Sequence, residues 1–231
     1  MILVAHRGAS LEYPCNSLES LTGAARMGAD WVECDVRRIG DGRFVIFHDE
    51  TVEAGGRRRP VRELTYEELC RACAPDAPYP MTFEELCARY RERAPILLHI
   101  KENRADPELV EAIDRAPFEH VWGVQSLEML AEAARRTDPA HILAFMPERQ
   151  LYPQFLSGGA GVIRLWESWL DRLSPDEVRA AGAQQVFVMC CNPEGSMNGS
   201  EQSLDRIAAL GADGALLNDI RMALSWRGRH G

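Results

Sequence analysis

Several short apolar runs in this chain carry or end in polar residues able to do chemistry. The first runs into His6-Arg7-Gly8. A second carries Glu33-Cys34-Asp35, a third ends in His48-Asp49, and a fourth carries His99-Ile100-Lys101-Glu102. Side chains alternate across a strand, so Glu33 and Asp35 share one face, and so do His99 and Lys101. Paired carboxylates with an imidazole nearby make a site for a divalent metal. Arginine and lysine beside such a site suit an anionic substrate, and an arginine can grip phosphate oxygens with two donors at once. Two histidines near the ion can serve as general base and general acid. Metal, cations and an acid–base pair together describe cleavage of a phosphate ester.

These residues must be brought to one place, and the rhythm of the chain indicates how. Candidate strands fall at Ile2–Ala5, Trp31–Val36, Ile96–Ile100, His120–Val124, Ile142–Phe145, Val162–Leu165, Gln185–Met189 and Gly214–Leu217. Runs this short and this apolar suit buried parallel strands. Helix starts lie between them: Thr65-x-x-Glu68, Thr82-x-x-Glu85 and Ser174-Pro175-x-Glu177 read as capping boxes, and Asp106-Pro107 as a cap followed by proline. Phe83, Leu86, Cys87 and Tyr90 follow the spacing of a buried helical stripe. Gly28, Gly182 and Gly211 each end a helical stretch just before a strand, where a left-handed cap suits glycine.

Eight strands with intervening helices or turns predict an α/β fold of the (β/α)8 TIM-barrel type, a single domain over residues 1–231. A doubly wound sheet would need a glycine-rich dinucleotide loop that this chain lacks. Asp41-Gly42 between two strand-like runs predicts a short β-hairpin inserted after the second barrel strand. That hairpin would carry His48 back over the strand's end. Active sites of such barrels sit at the C-terminal ends of the strands, where the polar residues lie.

Composition narrows the partners. The chain has 231 residues, 46% of them apolar, and 26 basic against 35 acidic side chains leave a formal net charge of −9. An acidic balance argues against nucleic acid as a partner. No apolar run approaches the ~18 residues of a membrane span, and Met1–Ala5 is too short for a signal peptide, so a cytoplasmic protein is expected. The cysteines are 15, 34, 70, 73, 87, 190 and 191. Cys70-x-x-Cys73 with Cys87 lacks a fourth ligand at zinc-finger spacing, so reduced, mostly buried thiols are expected.

The chain resembles the glycerophosphodiester phosphodiesterase family over nearly its whole length. The resemblance rests on His6-Arg7-Gly8-Ala9-Ser10, Pro14-x-Asn16-Ser17, Glu33-x-Asp35-Val36, His48-Asp49 and Ile100-Lys101, in the family's order and spacing. Gln125-Ser126-Leu127 and the stretch from Asp213-Gly214 to Asn218-Asp219 add weaker matches. The resemblance implies a (β/α)8 barrel that hydrolyses glycerophosphodiesters to an alcohol and glycerol phosphate with one divalent metal ion. It makes His6 and His48 the acid–base pair, in either order. It makes Glu33 and Asp35 metal ligands, and Arg7 and Lys101 the phosphate-binding cations. The nucleophile is water or the substrate's own vicinal hydroxyl.

Two departures stand out. Cys15 occupies the place of a glutamate in the family's Pro-Glu-Asn-Thr, and His99 occupies the place of a metal-binding glutamate two residues before the lysine. With His99 as third ligand, Mg²⁺, Mn²⁺ or Co²⁺ is favoured over Ca²⁺. The chemistry needs no thiolate, so Cys15 is not expected as nucleophile. Trp166 and Trp169, after the sixth strand, either wall the pocket or pack. Two other functions compete: lyase-type cleavage of a lysophospholipid head group, and a non-catalytic barrel that only binds a phosphodiester. The retained His6 and His48 argue against the latter, since a pure binder has little need of an acid–base pair.

Overall fold

The computed structural model describes residues 1–73, 80–191 and 195–230. Its centre is a closed barrel of eight parallel strands. They are β1 (Ile2–Ala5), β2 (Trp31–Arg38), β3 (Ile96–Ile100), β4 (His120–Val124), β5 (Ile142–Ala144), β6 (Val162–Trp166), β7 (Gln185–Met189) and β8 (Gly214–Leu217). Each strand pairs with the next, and β1 pairs with both β2 and β8, so the barrel has no open edge. Among the described residues, no helix is long and apolar enough to cross a membrane.

Alternation along the strands sorts the side chains into two layers. Val4, Leu97, Val121, Leu143, Val162, Phe187 and Leu216 pack together in the lumen. Leu3, Leu98, Ile163, Val186 and Ala215, one residue away, pack outward with the helices. Carrying the two-residue period toward the strand ends turns His6, Glu33, Asp35, His99, Lys101, Phe145, Arg164 and Asn218 into the upper lumen. The parity that buries a valine low in the barrel thereby aims a polar group at its mouth.

Local signals set where the helices begin. Thr65, Thr82 and Ser174 each close a complete capping box with the glutamate three residues on. Asp106 caps Pro107–Asp114, with the proline at the first helical position. Leu18–Met27, which follows β1, starts at Ser17 and ends at Gly28, whose φ is 102°.

After β2 the chain turns at Asp41-Gly42, and Phe44–Ile46 returns antiparallel along Val36–Arg38. β2 runs to Arg38, beyond the expected end at Val36, because Arg37 and Arg38 are the ladder partners of Val45 and Phe44. β5 stops at Ala144, one residue early, and β6 extends through Trp166. Two pieces had no counterpart in the sequence reading. Met81–Thr82 adds a third strand beside Phe44–Ile46. Thr51–Ala54 and Arg57–Pro60 form a separate hairpin around Gly55-Gly56, both at positive φ. Three consecutive arginines hid the apolar alternation there, although Gly-Gly is itself a hairpin turn signal.

Candidate functional site

The turn after β1 is built to aim backbone and side chains at the barrel mouth. Arg7 has a φ of 58° and Gly8 one of 79°. A left-handed arginine is strained by roughly 1–3 kcal/mol, and such strain persists only where the surroundings hold it. Here the Arg7 carbonyl accepts hydrogen bonds from Ser20 Oγ at 2.7 Å and from the Asn16 amide at 3.2 Å. The Arg7 amide donates to Glu33 Oε2 at 2.9 Å. Only glycine fits at position 8, because a Cβ there would lie 2.4 Å from the Ser20 backbone. The His6-Arg7-Gly8 triplet is thus a steric and hydrogen-bonding unit as well as a run of polar residues.

Glu33 and Asp35 are fully buried on β2. The Asp35 side chain is approached by Lys101 Nζ at 2.9 Å, Arg7 Nε at 3.2 Å and His99 Nδ1 at 3.3 Å. Burial alone would raise the Asp35 carboxyl, but His99, Lys101 and Arg7 together hold it well below the usual carboxylate range. His99 Nδ1 also lies 3.6 Å from Glu33 Oε1. Its ring stacks on Phe145 with centroids 3.7 Å apart and planes 9° apart. Gly123 leaves the room for that stack, since a Cβ there would come within 2.7 Å of the Phe145 ring.

The donor set suits a divalent ion. One ligand atom each from Glu33, Asp35 and His99 lies within 4.8 Å of the others, and all three residues are buried. Asp35 Oδ1 is ion-paired with Lys101, but Glu33 Oε1 and His99 Nε2 lack any hydrogen-bond partner among the described residues. A buried carboxylate oxygen left so is costly unless an ion takes it up. Two hard oxygens and one imidazole form a mixed donor set for such an ion.

His6 sits beside this group. Its Nδ1 is 2.7 Å from Asn218 Oδ1, and its Nε2 is 3.9 Å from Glu33 Oε2. Asn218 Nδ2 donates to Asn198 Oδ1 at 3.1 Å, which orients the Asn218 amide with its oxygen toward the histidine. Nδ1 therefore carries the proton in the neutral ring, leaving Nε2 as the free base. Burial pushes the His6 pKa down, opposed by the Glu33 charge.

His48 is placed differently. It lies at the end of the inserted hairpin, about two-fifths exposed, with Nδ1 2.8 Å from Asp49 Oδ1. Its carbonyl accepts two hydrogen bonds from the Arg37 guanidinium, at 3.0 and 2.9 Å. Among the described residues it makes no hydrogen bond or ion pair with Glu33, Asp35, His99 or Lys101. It instead shares with Arg7, Asn16 and Cys15 the wall of a pocket of about 280 Å³. Six of the seven expected site residues thus converge, and His48 faces them from the rim.

Cys15 is exposed in that pocket, whereas Cys34 and Cys190 are buried and their thiols are pushed well above the ordinary range by burial. Cys15→Ser is expected to keep kcat/KM within about threefold of the native value, as for surface substitutions outside the reacting groups. Stoichiometric inactivation by a thiol reagent at Cys15, blocked by substrate and absent in Cys15→Ser, would make the thiol part of the chemistry.

Several supporting residues were given no role by sequence reasoning, although Asn16 and Asn218 stood within the matching motifs. Asn16 exchanges two hydrogen bonds with Asp35, Nδ2 to Oδ2 at 2.9 Å and Asp35 amide to Oδ1 at 3.1 Å. Asn218 orients His6, and Arg37 anchors the His48 backbone. Arg164 is buried on β6. Its signal was available: a charge inside the apolar strand Val162–Trp166. Glu33 and Asp35 showed through strand parity, but partners arriving from other elements did not.

Residues 6–195 match the model of the glycerophosphoryl diester phosphodiesterase family. A glycerophosphodiester phosphodiesterase of Bacillus altitudinis is 32% identical over 107 residues, which is 43% of this chain and 44% of that one. The matched stretches span less than half the length of the curated relatives. Over whole chains the fold is similar to that of the Thermotoga maritima glycerophosphodiester phosphodiesterase, with a TM-score of 0.73, 19% identity and 97% of each chain covered. It is also similar to an Oleispira antarctica phosphodiesterase solved with its product sn-glycerol-3-phosphate, with a TM-score of 0.69, 19% identity and 97% of each chain covered.

Proposed function

The chain belongs to the glycerophosphoryl diester phosphodiesterase family, and we propose that it hydrolyses glycerophosphodiesters to an alcohol and a glycerol phosphate in a metal-dependent reaction. The observation that carries this reading is the convergence of His6, Arg7, Glu33, Asp35, His99 and Lys101 at one barrel mouth. Glu33, Asp35 and His99 would hold the metal. Bound there, the ion supplies positive charge that polarises a phosphoryl oxygen.

The protein's own groups account for the rest. Arg7 and Lys101, the cations that now face Asp35, offer donors to the phosphoryl oxygens and stabilise charge that develops on them. The ion pair of Arg7 Nε with Asp35 Oδ2 at 3.2 Å holds the guanidinium at the site before substrate arrives. His6 presents an unprotonated Nε2 inside the lumen, and His48 presents its ring at the rim. One takes the proton from the nucleophile and the other gives a proton to the departing alkoxide. Seven thiols without a disulfide are in keeping with a reducing, cytoplasmic setting.

Release of glycerol phosphate from a panel of glycerophosphodiesters, with the protein loaded in turn with Mg²⁺, Mn²⁺, Co²⁺ and Ca²⁺, tests the proposal. Absence of turnover with every metal and every ester would overturn it. Within that assay Arg7→Lys is expected to lose roughly 10–100-fold in kcat/KM, the size of a lost charge-assisted hydrogen bond. A point charge does not reproduce a planar fork. Full kcat/KM in Arg7→Lys would remove Arg7 from the phosphate.

A further inference from the structure

Arg164 is a buried cation with no ion-pair partner among the described residues. It is 5% exposed, it faces the lumen between Val162 and Trp166, and Nε and Nη1 have no hydrogen-bond partner among the described residues. No described carboxylate lies within ion-pair distance of it. Asp35 is engaged by Arg7, Lys101 and His99, and Glu33, which accepts from the Arg7 amide, acts on Arg164 only from beyond ion-pair distance. The guanidinium instead rests on aromatic faces, 4.3 Å from the Trp166 ring centroid and 5.2 Å from that of Phe145. Burial lowers its pKa to about 9, so it remains charged at neutral pH. A desolvated guanidinium left this way is costly, and the cost is recovered when an oxyanion docks against it.

Position decides which oxyanion. In an eight-stranded ring β6 stands four strands from β2, so Arg164 faces Glu33 and Asp35 across the lumen. The reacting phosphoryl group belongs beside Arg7 and Lys101, on the near side. A glycerol moiety carries no charge, so an anion reaching the far wall comes from the other alcohol. The aromatic faces matter as well. Trp166 and Phe145 would otherwise suit a quaternary ammonium group, but a fixed cation already covers them and repels a second one.

We propose that Arg164 binds an oxyanion on the head group of the substrate, so that this site selects glycerophosphodiesters with anionic head groups over those bearing choline. The inference deepens the proposed phosphodiesterase reading and rests on it. The shared chemistry is an oxyanion held by a planar, desolvated fork, which a carboxylate or a phosphate would supply.

The test compares native protein with Arg164→Met and Arg164→Lys. Esters of serine, of inositol phosphate, of glycerol and of choline separate carboxylate, phosphate, neutral and cationic head groups. Native protein is expected to prefer an anionic ester over the choline ester by roughly 10–100-fold in kcat/KM. Arg164→Met should erase most of that ratio, and Arg164→Lys should retain part of it. Tryptophan fluorescence titrated with phosphoserine, inositol bisphosphate and phosphocholine gives an independent reading without turnover. Native protein should bind the first two more tightly, and Arg164→Met should not discriminate. If no ester is hydrolysed, the phosphodiesterase reading falls while the binding ratios still judge Arg164. Equal or better use of choline by native protein, or an unchanged ratio in Arg164→Met and Arg164→Lys, overturns the proposal. So does an equal loss with all four esters, which would place Arg164 on the reacting phosphoryl group.

Discussion

Replacing either His6 or His48 with alanine is expected to lower kcat by roughly 10²–10⁴-fold, the usual contribution of one positioned acid or base. The two variants should differ in their side effects. His6 is buried, accepts the orientation that Asn218 imposes, and neighbours the carboxylates. Its removal leaves the Asn218 oxygen without its partner, so a modest loss of stability should accompany the loss of rate. His48 is partly exposed, and its backbone is tied to Arg37 through a carbonyl that alanine retains. His48→Ala should therefore lose rate with little change in thermal midpoint. For both, dissociation constants for glycerol phosphate should rise far less than kcat falls, because proton transfer matters in the transition state and little in the ground state. Steady-state kinetics with product-binding measurements check this. Near-normal kcat in either variant would remove that histidine from the reaction.

Chelation should abolish turnover, and Mn²⁺, Co²⁺ or Mg²⁺ should restore it better than Ca²⁺. Calcium gains strongly from ligand charge and from many oxygens, whereas this site offers two carboxylates and an imidazole in place of a third. The remaining oxygens would have to come from water or substrate. The His99 ring also stacks on Phe145 with centroids 3.7 Å apart. His99→Glu adds a negative charge and an oxygen, and forfeits the stack. It is expected to shift the ratio of Ca²⁺ to Mn²⁺ affinity toward Ca²⁺ by on the order of tenfold or more. Calorimetric titration of both metal-free proteins reads this directly, and activity with each ion reads it independently. Equal, tight Ca²⁺ binding by both proteins would show that His99 is not a ligand or that ligand charge does not select the ion.

The charges around the candidate site tie metal binding to substrate binding. Two buried carboxylates face two cations, Arg7 and Lys101, so the cluster is close to neutral before any ion enters. A divalent ion turns it positive, which favours a phosphodiester anion. Metal affinity and substrate affinity should therefore rise together, and a titration of glycerol phosphate binding against metal concentration should show that linkage.

Much of this could be read along the chain because it depends on local rules. Capping boxes at Thr65, Thr82 and Ser174 mark helix starts through bonds made within four residues. A two-residue period puts Glu33 with Asp35, and His99 with Lys101, on one face of their strands whatever the strands later meet. Eight apolar runs separated by helices indicate a barrel because few other arrangements bury so many short parallel strands. Tertiary structure decided what those faces meet. Asn218 reaches His6 from 212 positions away because β8 closes the ring against β1. Asn16 reaches Asp35 because a left-handed backbone turns it inward. Arg164 becomes a lumen cation opposite Glu33 only when β6 takes its place across the barrel, and His48 stands apart because the hairpin ends at the rim. Local periodicity is set by backbone geometry, whereas the pairing of distant side chains depends on ring closure and strand register, which no single segment contains.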